Sequence, residues 1–87
     1  RIPFGWLIER GLLRTGEVLY GPRRRYAAKI TADGNIISSE NRGSIHKIGA
    51  AVQGADSCNG WTFWHIDIEG KLIPIDVLRQ KVRSELN

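Results

Sequence analysis

The stretch Gly43-Ser44-Ile45-His46-Lys47-Ile48-Gly49-Ala50-Ala51-Val52-Gln53-Gly54, continued by Asn59-Gly60-Trp61-Thr62-Phe63-Trp64, decides how the rest of the chain is read. Ser44 stands where a helix begins. Its hydroxyl can cap the helix, and the first backbone N–H groups then point outward, ready for an anion such as phosphate. Lys47 falls in the first turn, beside the same anion. Ile45, Ile48, Gly49 and Val52 form an inner stripe that packs on a sheet, with Gly49 letting the helix come close, while Lys47, Ala50 and Ala51 give a low, cationic outer surface. Gly54 ends the helix. Asn59-Gly60 has the chemistry of a tight turn with positive φ, which delivers Trp61 to the start of a strand over 61–68. Trp61, Phe63 and His65 lie on one face of that strand and Thr62, Trp64 and Ile66 on the other; both are largely apolar, so periodicity does not identify the core face. Two readings of Trp61 stand: a core residue, or a side chain at a strand end that reaches a partner.

Working outward, Pro3 suits the first turn of a helix that carries Phe4, Leu7 and Ile8 at helical spacing and stops at Gly11. Trp6 falls on the opposite face, either capping a small core from the side or meeting another domain or a ligand. Between Glu17 and Ser39 the period changes. Val18-Leu19-Tyr20, Tyr26 to Thr31 and Asn35 to Ser38 are β-prone runs separated by Gly21-Pro22 and by Asp33-Gly34-Asn35, the second a strong hairpin signal. Arg23-Arg24-Arg25, on the first of these turns, reads equally as a solvated loop and as a phosphate-gripping one. Glu40 to Gly43 is a polar connection that brings Arg42 next to the central helix. After Glu69-Gly70-Lys71 turns the chain, Pro74 opens a last helix with Asp76 in its first turn, Ile75, Leu78, Val82 and Leu86 as its buried stripe, and Arg79 and Arg83 along one border. The expected class is α+β, a small antiparallel sheet of about four strands packed with about three helices in the order α-β-β-β-α-β-α.

A chain of 87 residues has room for one core and not for a second, so residues 1–87 form a single domain. The net charge of +4 favours an acidic partner, although many small domains that bind no nucleic acid share it. Cys58 is the one cysteine, which rules out an internal disulfide and suits a reducing compartment. No apolar run approaches the ~18–20 residues of a membrane span. The chain opens on Arg1 rather than methionine, as expected of a piece excised from a longer protein. Catalytic patterns are absent: there is no Ser/His/Asp or Cys/His set, no paired carboxylates in a defined context and no Gly-rich loop between a strand and a helix. Cys58 has no nearby base in sequence, which leaves a Cys58–His65 nucleophile pair without support. His46 is a lone histidine and reads as a structural hydrogen-bonder rather than a metal ligand. The residues alone therefore lead to a non-catalytic binding module with an anion-binding face.

GSIHKIGAAVQG, followed by CNGWTFWH and then by LIPIDVLR, resembles the C-terminal domain of the cell-cycle-regulated DNA adenine methyltransferases of alphaproteobacteria, within the wider class of restriction-enzyme and adenine-methylase-associated modules. The similarity runs from Pro3-Phe4 through Leu12-Leu13 to Arg79. It implies a missing N-terminal catalytic domain that uses S-adenosylmethionine to methylate the N6 of adenine in GANTC sites, and a non-catalytic domain here that binds double-stranded DNA and holds no cofactor. This chain accordingly contains neither the Asp-Pro-Pro-Tyr nor the Phe-x-Gly-x-Gly motif of that family. By the same resemblance DNA contact falls to Ser44, Asn59 and Trp61, and further to Lys47, Thr62 and Arg79; Arg23, Arg24 and Arg25, in a part of the family pattern that varies, and Arg42 are candidates by their charge alone. A cytoplasmic, nucleoid-associated protein follows, with the catalytic domain as a partner, a homodimer of the full-length enzyme as a further expectation, and no membrane. The competing reading is a protein-interaction domain that pairs methyltransferase subunits or docks on the catalytic domain, with Trp6 and Trp61 as anchors.

Overall fold

A computed structural model describes residues 1–86. Its elements in chain order are α1 (Gly5–Glu9), β1 (Val18–Tyr20), a short 3-10 turn (Pro22–Arg24), β2 (Ala27–Ile30), β3 (Ile36–Ser38), β4 (Asn41–Gly43), α2 (Ile45–Gln53), α3 (Gly60–Phe63), β5 (His65–Ile68), β6 (Lys71–Pro74) and α4 (Asp76–Glu85). The strands form one 6-stranded sheet in the order β4-β3-β2-β1-β5-β6, and every pairing is antiparallel. The α+β class and the antiparallel sheet are as the sequence predicts, with β4, β6 and α3 in addition.

Register fixes which side chains turn inward. Leu19 stands opposite Ala28 and Ile30 opposite Ile36, and all four are buried, whereas the row Val18, Lys29, Ile37 and Arg42 lies on the other face and is exposed or half-buried. Leu7 of α1, Ile45 and Ile48 of α2, Trp61 and Phe63 of α3, and Val82 of α4 join those inward residues in one core. Large apolar side chains of this kind each contribute roughly 1.5–3 kcal/mol when fully buried. Since β1 to β4 run as a meander to one edge, α2 and α3 must carry the chain back across the sheet so that β5 can join β1. The β1–β5 seam is short, a single residue pair, Tyr20 with His65, reinforced by the His65 ring nitrogen Nδ1 against the Tyr20 carbonyl at 3.2 Å.

Four sequence expectations are corrected here. Asn59-Gly60 is not a hairpin turn, and Trp61 does not start a strand: Asn59 has extended φ/ψ (−89°, 100°), its side chain accepts the Trp61 N–H at 3.1 Å, and Gly60–Phe63 is one turn of helix. Asn serves both turns and helix caps because its short side chain mimics a backbone acceptor, so the dipeptide alone does not separate the two. Pro74 closes the edge strand β6 instead of opening a helix, a place where a missing N–H costs nothing, and α4 begins at Asp76. In α4 the buried stripe stops at Val82, and Leu86 is exposed; on α2, Ala50 is buried rather than outward, leaving Lys47 and Ala51 to form that surface.

Candidate functional site

The site begins with the way α2 and α3 meet. Ser44 caps α2 by accepting the Lys47 N–H at 3.0 Å, and Gly54 closes the helix in the left-handed conformation. Beyond the five residues Ala55 to Asn59, Gly60 sits so close to the start of α2 that a Cβ on it would lie 2.6 Å from the carbonyl carbon and oxygen of Ile45. Two hydrogen bonds lock this contact. The Gly60 N–H donates to Nδ1 of His46 at 2.9 Å, and the buried Trp64 indole donates from Nε1 to the Ile45 carbonyl at 3.0 Å. Gly49 makes the second close approach, against the Cys58 loop and α3 rather than against the sheet as expected, since a Cβ there would be 2.6 Å from Sγ of Cys58 and 3.4 Å from the Phe63 ring.

This junction, Arg79 of α4, the N-terminal residues 1–5 and the turn at Asp33 and Gly34 wall one open groove of about 800 Å³, lined among others by Phe4, Ser44, His46, Asn59 and Trp61. Trp61 is only 6% exposed and forms the groove's floor, edge-on to Phe4 with ring centroids 6.1 Å apart and beneath the Arg79 guanidinium at 4.6 Å. It is thus both core and lining, and it does not project. Arg79 is held by Asp76, whose Oδ1 lies 2.5 Å from Nη2 but is not aligned for a hydrogen bond. Nε of Arg79 has no hydrogen-bond partner among the described residues either. That Nε is itself buried, so what the groove can offer an anionic or acceptor-rich ligand is the exposed part of a guanidinium fixed over an aromatic face. The Oδ1 of Asn59 is occupied by its cap bond, which leaves the side-chain amide N–H groups as donors. Ser44 adds a hydroxyl, so donors and one aromatic surface face a common space.

The remaining sequence-selected residues fall around or away from this groove. Lys47 is exposed on α2, its stem lying against Gly43, and Thr62 is exposed on α3, with its hydroxyl donating to the Asn59 carbonyl at 3.2 Å. Arg42 pairs with Asp33 at 3.1 Å, and Asp33 lines the groove. The Thr31 hydroxyl, and then Arg42, hold the Asp33 carboxyl below its usual range, so the rim carries one permanent negative charge balanced by Arg42. Arg23, Arg24 and Arg25 do not line the groove. Arg24 is anchored to Asp67 at 2.9 Å and to the Gly70 carbonyl at 3.2 Å and lies over the Tyr20 ring at 5.0 Å, while Arg23 and Arg25 are exposed. Both Arg23 and Arg24 have φ of 58°, a left-handed conformation that costs a non-glycine residue roughly 1–2 kcal/mol, which the Arg24 contacts offset.

Phe4 and His46 were not legible as groove residues. His46 carried a signal in its place one residue past Ile45 at the start of α2; Phe4 carried none, because its contact with Trp61 is long-range. Burial raises the Cys58 thiol, with a Gln53 hydrogen bond opposing it in part, which disfavours a nucleophilic thiolate. Among the described residues no group of three or more His, Cys, Asp or Glu is gathered to hold a metal, and no helix is long and apolar enough to cross a membrane.

Residues 1–87 match the family described as Restriction Enzyme Adenine Methylase Associated, RAMA. The chain is also similar to the Type II methyltransferase M.HinfI of Haemophilus influenzae, with 29% identity over 85 residues, covering 98% of this chain and 24% of the relative. It therefore spans about a quarter of the length of that curated relative. All three segments that mark the chain in sequence, GSIHK, CNGWT and LIPIDVLR, reach the groove beside the N-terminal residues 1–5, and a match over its full length places it: the chain belongs to the Restriction Enzyme Adenine Methylase Associated family.

Proposed function

We propose that this chain is the non-catalytic, double-stranded DNA-binding domain of a site-specific adenine-N6 DNA methyltransferase, and that the groove between α2, α3 and α4 faces the DNA. The observation that carries this reading is the convergence of Ser44, Asn59, Trp61 and Arg79, from three separate segments of the sequence, on one groove. Ser44 and the start of α2 take a backbone phosphate, with Lys47 adding charge from outside; Asn59 and Arg79 offer donors to a sugar, phosphate or base edge; the Trp61–Arg79 stack supplies a surface for a base. Catalysis, S-adenosylmethionine binding and the chemistry at adenine belong to a catalytic domain elsewhere in the parent enzyme. Extruding a target adenine costs a few kcal/mol of unpairing, and a second domain gripping the duplex offsets part of that cost. GANTC is the site to test first, and a cytoplasmic, nucleoid-bound enzyme is the setting.

The experiment is the affinity of the chain for a GANTC duplex and a scrambled duplex over a series of salt concentrations. Binding through phosphates weakens steeply with salt, and a preference for GANTC places base reading in this domain. A second reading rests on the outward face of the sheet, where Val18, Ala27 and Ile37 line a shallow depression. That face suits docking on the catalytic domain or pairing of two subunits, and such binding tolerates salt.

A further inference from the structure

The hydrogen bond between the Gly60 N–H and Nδ1 of His46, 2.9 Å long, fixes the protonation of the imidazole. A backbone amide nitrogen can only donate, so Nδ1 must be the acceptor and carries no proton. The neutral ring then holds its one proton on Nε2. Gly60 is buried and His46 is exposed, so the edge of the ring bearing Nδ1 is turned into the α2–α3 junction, and the distal edge with Nε2–H is the part left to the outside. His46 also lines the groove that holds Asn59, Trp61 and Arg79.

We propose that His46 is a ligand-binding residue of this groove, donating from Nε2–H to an acceptor atom of bound DNA; the proposal rests on the DNA-binding reading above. The same hydrogen bond that joins α3 to α2 selects the tautomer, so the fold itself sets a neutral donor beside the cationic Arg79. A neutral donor adds direction without charge. It strengthens binding without releasing a counterion, which separates its signature from those of Lys47 and Arg79. The acceptor is a phosphate oxygen or an acceptor on a base edge, and sequence dependence tells the two apart.

The test compares the wild-type chain with His46→Asn on GANTC and scrambled duplexes across a salt series. Asparagine places an acceptor oxygen where Nδ1 was, which keeps the Gly60 bond, and it removes Nε2–H. The expected result is a folded variant with about three- to tenfold weaker binding, the loss of one neutral hydrogen bond, and an unchanged salt slope. A loss equal on both duplexes identifies a phosphate acceptor, and a loss confined to GANTC identifies a base. Undiminished affinity in folded His46→Asn overturns the proposal while the DNA reading stands; a wild-type chain that binds neither duplex overturns both. If His46→Asn does not fold, imidazole ¹⁵N spectra of the wild type with and without duplex decide. A Nε2–H tautomer whose Nε2 signal shifts on binding supports the proposal, and an imidazolium or an unmoved signal overturns it.

Discussion

Replacing Gly60 with alanine tests the α2–α3 junction on which the groove depends. The added methyl would stand 2.6 Å from the Ile45 carbonyl carbon and oxygen and 2.7 Å from Cγ1 of the same residue. Comfortable separation is about 3.5–4.0 Å, so roughly 1 Å of backbone movement is required, and the obstructing atoms are main chain that cannot swing aside. Overpacking of this kind costs about 1–3 kcal/mol. The movement also stretches the Gly60–His46 and Trp64–Ile45 hydrogen bonds, each worth about 1 kcal/mol net, for a total near 3–5 kcal/mol. In a domain of this size 1 kcal/mol corresponds to about 4–8 °C, so the midpoint of thermal unfolding followed by circular dichroism should fall by at least ~10 °C. Gly5→Ala is the control, because its Cβ would meet nothing nearer than Gly34 Cα at 3.9 Å, and the midpoint should hold or rise. A Gly60→Ala protein as stable as wild type would refute the close approach, and with it the groove's geometry.

Ser44→Ala should lose about 0.5–2 kcal/mol of stability in chemical denaturation through the missing cap on Lys47 N–H, whereas Ser44→Asp should retain it. Trp64→Phe should cost about 1–3 kcal/mol, since the buried Ile45 carbonyl loses its indole donor; a variant of wild-type stability would show that this bond carries no weight. The Asp67 carboxyl is held below its usual range, first by the Gly70 N–H and then by Arg24. A lowered folded-state pKa gives stability that is present above the unfolded value near ~3.9 and lost as pH falls through the folded value. Wild type should therefore melt higher than Asp67→Asn at neutral pH, and the gap should close in strong acid; a gap unchanged at low pH would contradict the assignment.

The sheet meander was readable because β-branched and aromatic runs alternate there with turn residues, and Val18–Tyr20 forms as expected. β4 was not, since Asn41, Arg42 and Gly43 have no strand preference of their own; they pair because β3 offers an open edge beside them. The Asn59-Gly60 step misled for a different reason. Its local chemistry fits a turn, and the helix wins because it buries Trp61, Phe63 and Trp64 in one core while bringing Gly60 onto Ile45, a gain visible only in three dimensions. The capping serine, the close-packing Gly49 and the hydrogen-bonding role of His46 were all legible, because each follows from a residue's own chemistry at a helix start or stripe. The burial of Trp61 under Arg79 was not, because Phe4, Asp76 and Arg79 come from opposite ends of the chain.

DNA binding by the groove is tested most directly with the pair Ser44→Asp and Asn59→Asp in one chain. Both aspartates preserve the helix-cap acceptors of α2 and α3, so the thermal midpoint should stay within a few degrees of wild type, while two negative charges enter the groove. Measured at low salt, duplex affinity should fall by more than about tenfold, because each like charge facing phosphate costs on the order of 1 kcal/mol. A folded double variant that binds duplex as tightly as wild type would contradict the placement of DNA in this groove.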